Sequence, residues 1–205
     1  MFLHATHPPM TRAGLPASIT LQGRTIRLEP LTRDHVPGLM EAAADPAIWR
    51  HTAFAKNPED YFERALAAQT AGEEVPFAVR LIHDGRLAGM TRLFEIDTHH
   101  KRCEIGYTWY IPPVWGTKVN PEAKFLLLTH CFERWDARRI QFKTDHENLR
   151  SQAAILKLGA VHEGVLRAHM IRPDGTRRDS MIYSITREEW PKVKADLEHR
   201  LEQAG

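Results

Sequence analysis

The fold is decided by Cys103–Trp135, CEIGYTWYIPPVWGTKVNPEAKFLLLTHCFERW. Between Ile105 and Ile111 the bulky residues alternate. Ile105, Tyr107, Trp109 and Ile111 fall on one face, Glu104, Gly106, Thr108 and Tyr110 on the other. Period two in β-branched and aromatic side chains predicts a half-buried strand. Pro112 and Pro113 end it, because proline gives a sheet no N–H and restricts the residue before it. Asn120-Pro121-Glu122 then predicts a helix start, with Asn as N-cap, Pro at the first helical position and Glu at the positive end of the dipole. The helix carries Phe125, Leu126, Leu127, Leu128, Cys131, Phe132 and Trp135, enough apolar surface to be buried on more than one side.

A strand entering a helix through a turn with Gly116 and Lys118 leaves backbone N–H groups and a full positive charge at the helix N-terminus. Such a turn favours a phosphate or pyrophosphate. On the turn alone, an ordinary βα connection that holds nothing is the simpler reading.

Working outward, the 205 residues (23.5 kDa) suit one domain with a substantial core, residues 21–205, behind a loose leader at 1–20. A chain 42% hydrophobic and 26% charged is a folded, water-soluble type rather than a disordered one. A net charge of +2 is too small to imply nucleic acid. No apolar run reaches the length of a membrane span, and MFLHATHPPM lacks the basic and apolar segments of a signal peptide. Cys103 and Cys131 lie inside apolar elements, which reads as two buried thiols in a reducing cytoplasm. The histidines, His4, His7, His99 and His100 among them, share no ligand spacing with Cys or Asp/Glu, so no metal is expected.

Thr25–Leu28 alternates as a first strand, and helices follow at about Asp34–Ala44 and Asn57–Ala71, the second stopped by Gly72. Ile48 and Trp49 cover the core from a loop. Asp84-Gly85 joins the runs 77–82 and 87–96 as a hairpin. After the central helix come a strand at 139–144, a helix at Asn148–Leu158 closed by Gly159, a hairpin of 161–171 and 180–186 around Pro173-Asp174-Gly175, and a last helix at Arg187–Gln203. The strand at Glu104 and that ending at Thr144 form one parallel βαβ unit among antiparallel strands. The fold class is therefore α/β in the α+β sense: a mixed sheet, mostly antiparallel, and not doubly wound.

The order of elements, Glu104-Ile105-Gly106-Tyr107 ahead of a Gly-containing turn, Glu122-Ala123 in the helix, and Asn148-x-x-Ser151 followed by Lys157-Leu158-Gly159-Ala160 resemble the GNAT N-acetyltransferases. Within them the chain resembles the group that acetylates N-terminal amines of ribosomal proteins, over roughly Thr25 to Pro191. The resemblance implies central strands that splay apart, acetyl-CoA as cosubstrate, and pyrophosphate binding at the turn before the main helix. It places cofactor contacts at Tyr110, Ile111, Trp115, Gly116, Thr117, Lys118, Val119, Asn120, Asn148 and Ser151. The chain departs from the family at Trp115, where Arg or Gln is usual, and at Lys118, where a second Gly is usual. Lys118 either binds the pyrophosphate or crowds it.

Acetyl transfer to an amine requires deprotonation of the ammonium, polarisation of the carbonyl and protonation of the thiolate. Backbone N–H groups of Tyr107–Ile111 suit the carbonyl. Ser151 either meets the thiolate or caps a helix beside Asn148. Glu104 is a candidate base or a solvated strand residue. His169, counted onto one strand face with Arg167 and Glu163, is a candidate base or a hairpin histidine. Tyr183 reads as packing. Arg167, Arg177, Arg178 and Asp179 line the acceptor site or form a solvated turn, and Trp49, Phe54 and Tyr61 shape an acceptor pocket or the core. The leading function is direct acetyl transfer to a primary amine of a protein N-terminus or small molecule. The competing one is a catalytically silent coenzyme A-binding regulatory module. Neither nucleic acid nor membrane is expected as a partner, and exposed strands of the last hairpin are the place where a homodimer would pair.

Overall fold

The computed structural model describes residues 19–49, 58–172 and 174–203. Most of the expected leader, Phe54, the Asn57 cap, Pro173 and the tail histidines lie outside them. The sheet has eight strands: β1 (Leu21–Gln22), β2 (Ile26–Pro30), β3 (Val75–Leu81), β4 (Leu87–Asp97), β5 (Arg102–Tyr110), β6 (Arg139–Asp145), β7 (Val161–Ile171) and β8 (Arg177–Thr186). Their order is β1-β2-β3-β4-β5-β6-β8-β7, with β5 and β6 the parallel pair. The helices are α1 (Val36–Ala42), α2 (Pro58–Thr70), α3 (Val119–Thr129), α4 (Leu149–Leu156) and α5 (Trp190–Gln203).

Two cores flank the sheet. Phe77 and Val79 join one cluster and Ala78, between them, the other, as strand alternation requires. The first cluster lies under α3 and α5 and includes Ala123, Leu127, Leu128, Trp190 and Leu197. Phe132 stacks on Trp190 there, ring centroids 5.3 Å apart. The second holds Leu39, Ile48, Tyr61, Phe62 and Met90 beneath α1 and α2.

The even alternation expected along Ile105–Ile111 does not hold. Met90 pairs with Trp109, but the next partner of β4, Arg92, pairs with Gly106, so Tyr107 and Thr108 together face Thr91. This is a β-bulge, and Tyr107 sits in it at φ 48. The extra residue reverses the phase of the strand. Ile105 and Tyr110 consequently enter the first core while Trp109 enters the second. From the α2 side the Arg92 guanidinium lies 4.5 Å from the centroids of both Tyr61 and Tyr107, and it pairs with Glu74 at 2.9 Å.

The helix after the turn starts at Val119, with Lys118 at its N-cap, so Asn120 lies inside the first turn rather than capping it. Glu122 faces away from that turn. Its carboxylate accepts from Arg24 N–H, from the Thr25 hydroxyl and from Thr25 N–H at 3.0 Å, which ties the β1–β2 turn to α3. His130–Arg134 continue α3 as π-helix.

β5 and β6 pair over only three positions, Arg102↔Arg139, Cys103↔Ile140 and Glu104↔Gln141. Beyond them β5 keeps β4 as its partner and β6 keeps β8 through Asp145↔Ser180, so the two strands part. Asp145 anchors the far end of β6. It is 2% exposed and accepts from Arg172 Nε at 2.7 Å and Nη2 at 2.9 Å. Burial opposes its ionisation, but the Arg172 hydrogen bonds, the Glu147 N–H and the charges of Arg172 and Arg178 outweigh it and hold the carboxyl at about 2.

A carboxyl held from an ordinary 3.8 down to about 2 contributes on the order of 2 kcal/mol at neutral pH. That contribution is complete above 3.8 and disappears as pH falls through about 2. Asp145→Asn should therefore lose at least this amount in urea unfolding at pH 7, with the gap to wild type closing on acidification.

Candidate active site

The parting strands open a cleft of about 570 Å3, walled by β5, the 114–116 turn, α3, β6, α4 and the β7–β8 hairpin. It gathers Glu104, Tyr110, Trp115, Gly116, Asn120, Asn148, Ser151 and His169, distant in sequence. Ile111, Thr117, Lys118 and Val119 do not line it. Ile111 packs against the first core, and Val119 is buried in it with its N–H on the Thr117 hydroxyl at 3.3 Å.

Gly116 turns the chain at φ 76, left-handed backbone that favours glycine. Beside it, Trp115 donates through Nε1 to Tyr110 O at 2.7 Å, which fixes its ring, and the Arg150 guanidinium stacks on that ring at 3.8 Å. A positive charge from α4 thus stands over the turn at Trp115, one of the two positions where the chain departs from the pattern it resembles. Asn148 caps α4, its Oδ1 accepting from Ser151 N–H at 3.0 Å, and the cap sets Ser151 on the cleft wall.

Glu104 stands where β5 and β6 begin to part. It is 2% exposed, not solvated as one reading of the strand had it, and its Oε2 accepts from Gln141 Nε2 at 2.9 Å and pairs with Lys143 Nζ at 3.2 Å. Burial pushes its carboxyl up against the pull of those two partners. His169 lines the opposite wall, its Nδ1 3.0 Å from Ser180 Oγ. The face expected to hold Glu163, Arg167 and His169 is broken because β7 bulges twice: Glu163 is an extra residue between His162 and Gly164, and Arg167, Ala168 and His169 together face Asp179, with Ala168 at φ 52. Burial, then the charges of Lys143 and Arg178, push the His169 imidazole down, so it is neutral at pH 7.

Of the hairpin charges only Arg178 enters the cleft; Glu163 is bound to Arg139 and Ser184 outside it. Trp49 and Tyr61 pack in the second core, and Tyr183, 2% exposed, in the first. Cys103 and Cys131 are buried free thiols, and a hydrogen bond to Cys131, with burial, pushes the Cys103 thiol well up, which disfavours a thiolate nucleophile. Among the described residues no three His, Cys, Asp or Glu side chains gather as a metal site, and no helix is long and apolar enough to cross a membrane.

Sequence reading passed over Lys124, Lys143 and Arg150, all on the cleft wall. The signal for Lys124 was present: it lies one helical turn after Asn120, a lone charge between Ala123 and Phe125. The residues suit an anionic ligand with a long arm. The cleft wall carries Lys124, Lys143, Arg150 and Arg178, while the Tyr110 hydroxyl and Arg178 Nε are buried with no hydrogen-bond partner among the described residues.

Residues 25–161 match the family model described as Acetyltransferase (GNAT) domain. The chain is 30% identical over 114 residues to the "Putative ribosomal N-acetyltransferase YdaF" of Bacillus subtilis (strain 168), covering 56% of this chain and 61% of that protein, less than two thirds of its length. It is 40% identical to a "putative acetyltransferase" of T. thermophilus, with TM-score 0.78 over 89% of this chain and 96% of that one. Mycobacterium smegmatis RimJ in complex with CoA-disulfide shares the fold at TM-score 0.73 and 22% identity, over 89% and 93% of the two chains.

The environment of His169 yields a direct check. Removing the nearby ammonium in Lys143→Met should move the imidazole titration midpoint, followed by NMR, upward toward its ordinary 6.5. An unmoved midpoint would place Lys143 outside its field.

Proposed function

The chain belongs to the GNAT acetyltransferase family, and from that premise we propose that it moves an acetyl group directly from acetyl-CoA to the primary amine of a protein N-terminus or a small molecule. The observation that carries this reading is the parting of β5 and β6 immediately after Glu104↔Gln141, which opens a cation-lined cleft between two strands held by their outer neighbours. RimJ, which shares the fold, is a coenzyme A complex, and the name of YdaF suggests a ribosomal acceptor.

In this reading Arg150 over Trp115, the Gly116 turn and Asn120 hold the diphosphate, while the N–H groups of Ile111, Thr117 and Val119 are already donated to Ala88 O, Val114 O and the Thr117 hydroxyl. Tyr110 and Asn148 flank the arm, and Ser151 meets its sulfur end. Backbone N–H groups of β5 at the bulge polarise the acyl carbonyl. Glu104 takes the amine's proton through a water, its raised carboxyl being a better base than an ordinary glutamate. His169, neutral at pH 7, assists from the opposite wall. Two buried free thiols suit a cytoplasmic setting.

The acceptor reaches the cleft along a second, open groove of about 740 Å3 lined by Glu73, Glu74, Glu95 and Asp97, with Arg102 pairing with Asp97 at 3.2 Å and Arg92 with Glu74 at 2.9 Å. Phe94 and Glu95 line both spaces, so the groove adjoins the cleft at β4. Its charge favours cationic amines, steered at low salt. β7 is an exposed edge strand with Val161, Leu166 and Ile171 outward, and is the surface for a homodimer, which sedimentation would detect.

A thiol-release assay with acetyl-CoA and a panel of amines and short peptides tests the proposal. Turnover should be highest with cationic acceptors and fall with added salt. Glu104→Gln should lower kcat by about 10²-fold and His169→Ala by about tenfold. Coenzyme A binding without thiol release from any amine would leave the silent module as the correct reading.

A further inference from the structure

The roles assigned so far leave Lys124 idle, although its position is energetically expensive. The side chain is 5% exposed, and among the described residues no carboxylate pairs with it. Desolvating an ammonium without a counter-ion costs several kcal/mol, and leucine or methionine would fill the same space without that cost. The charge is also held in place. Nζ donates to Thr108 Oγ1 at 2.7 Å and to Thr91 Oγ1 at 3.3 Å, and the two hydroxyls, from β5 and β4, lie 2.8 Å apart. Thr108 directly follows Tyr107 in the bulge. The tip of Lys124 is therefore fixed on the cleft wall beside the place where β5 turns out of register.

We propose that Lys124 is the acid of the transfer, a catalytic residue whose ammonium gives a proton to the departing thiolate. This rests on the acetyl-transfer reading above. The acceptor ammonium first gives one proton to solvent by way of Glu104; the neutral amine nitrogen then bonds to the acyl carbon and passes its second proton to Glu104 through the water. The C–S bond breaks with its electron pair going to sulfur, and Nζ–H supplies the proton that leaves a thiol. Lys124 regains a proton from solvent through the open cleft. Burial pushes its ammonium down to about 7, so it gives up a proton far more readily than an ordinary lysine, whereas the Ser151 hydroxyl can only relay one. The charged or titratable groups that line the same cleft are Glu104, Tyr107 and Tyr110 on β5, Glu95 on β4, Lys143 on β6, Arg150 on α4, His169 on β7 and Arg178 on β8, and burial is what lowers the ammonium.

The test compares wild type with Lys124→Met on two acyl donors. Acetyl-CoA releases an alkyl thiolate that needs a proton; phenyl thioacetate releases an aryl thiolate that leaves without one. Loss of the acid should lower kcat with acetyl-CoA by about 10²-fold or more and with phenyl thioacetate by less than about threefold. Coenzyme A affinity by calorimetry should stay within about threefold, and wild-type kcat should fall as pH rises through about 7 while the variant lacks that limb. Equal losses with both donors, or weaker coenzyme A binding at unchanged kcat, overturns the proposal. Lys124→Gln, which also cannot give a proton, repeats the comparison if the methionine variant does not fold. An active wild type matched by both variants refutes the role of Lys124 alone. A wild type that releases no thiol refutes the acetyl-transfer reading, and this role with it.

Discussion

One extra residue in β5 governs the rest of the molecule. Two residues, Tyr107 and Thr108, face the single Thr91 of β4, and from that point the strand presents the opposite set of side chains to each face. Without the bulge, Trp109 would fall on the same face as Ile105 and Tyr110 on the opposite one, and neither core would close as it does. The irregularity is supported from both sides. Arg92 lies between the Tyr61 and Tyr107 rings on one, while Lys124 bonds Thr108 and Thr91 on the other. Backbone in a sparsely populated conformation persists where its surroundings fix it, and such positions collect at functional sites.

The parting of β5 and β6 has an equally local origin. Three paired positions join them, after which each strand satisfies its backbone on its outer edge only. The opening is therefore not an unfilled defect of packing. It is bounded below by Glu104, held by Gln141 and Lys143, and at the far end of β6 by Asp145 with Arg172. These two carboxylates differ in consequence: one is pushed up by burial, the other held low by arginine. The same carboxyl group thus holds its proton more tightly at one end of the cleft and stays ionised as a structural anchor at the other.

Charge placement follows the same division. Cations of α3, α4, β6 and β8 converge on the cleft, and acidic residues of β4 and of the α2–β3 connection line the neighbouring groove. An anionic donor and a cationic acceptor would be drawn to different spaces that meet at Phe94 and Glu95.

Apart from the two-residue β1, the linear pattern was enough for the strands and main helices and their order. The hydrophobic run of α3, the Asn148 cap, the Asp-Gly hairpin and the single βαβ unit each follow from local propensity, which acts over a few residues and needs no partner. It also marked Glu104, Ser151 and His169, which do share one cleft. The start of α3 was displaced because Thr117 takes the Val119 N–H and lets the helix begin before Asn120. The bulges in β5 and β7 were invisible, since a strand's phase depends on the neighbour it pairs with, and that neighbour is chosen by the whole sheet. Lys124 and Arg150 escaped for the same reason. Whether a lysine in an apolar helix points into solvent or into a cleft, and whether an arginine meets a tryptophan 35 positions before it, is settled only when distant segments are brought together by burial of the apolar surfaces they carry.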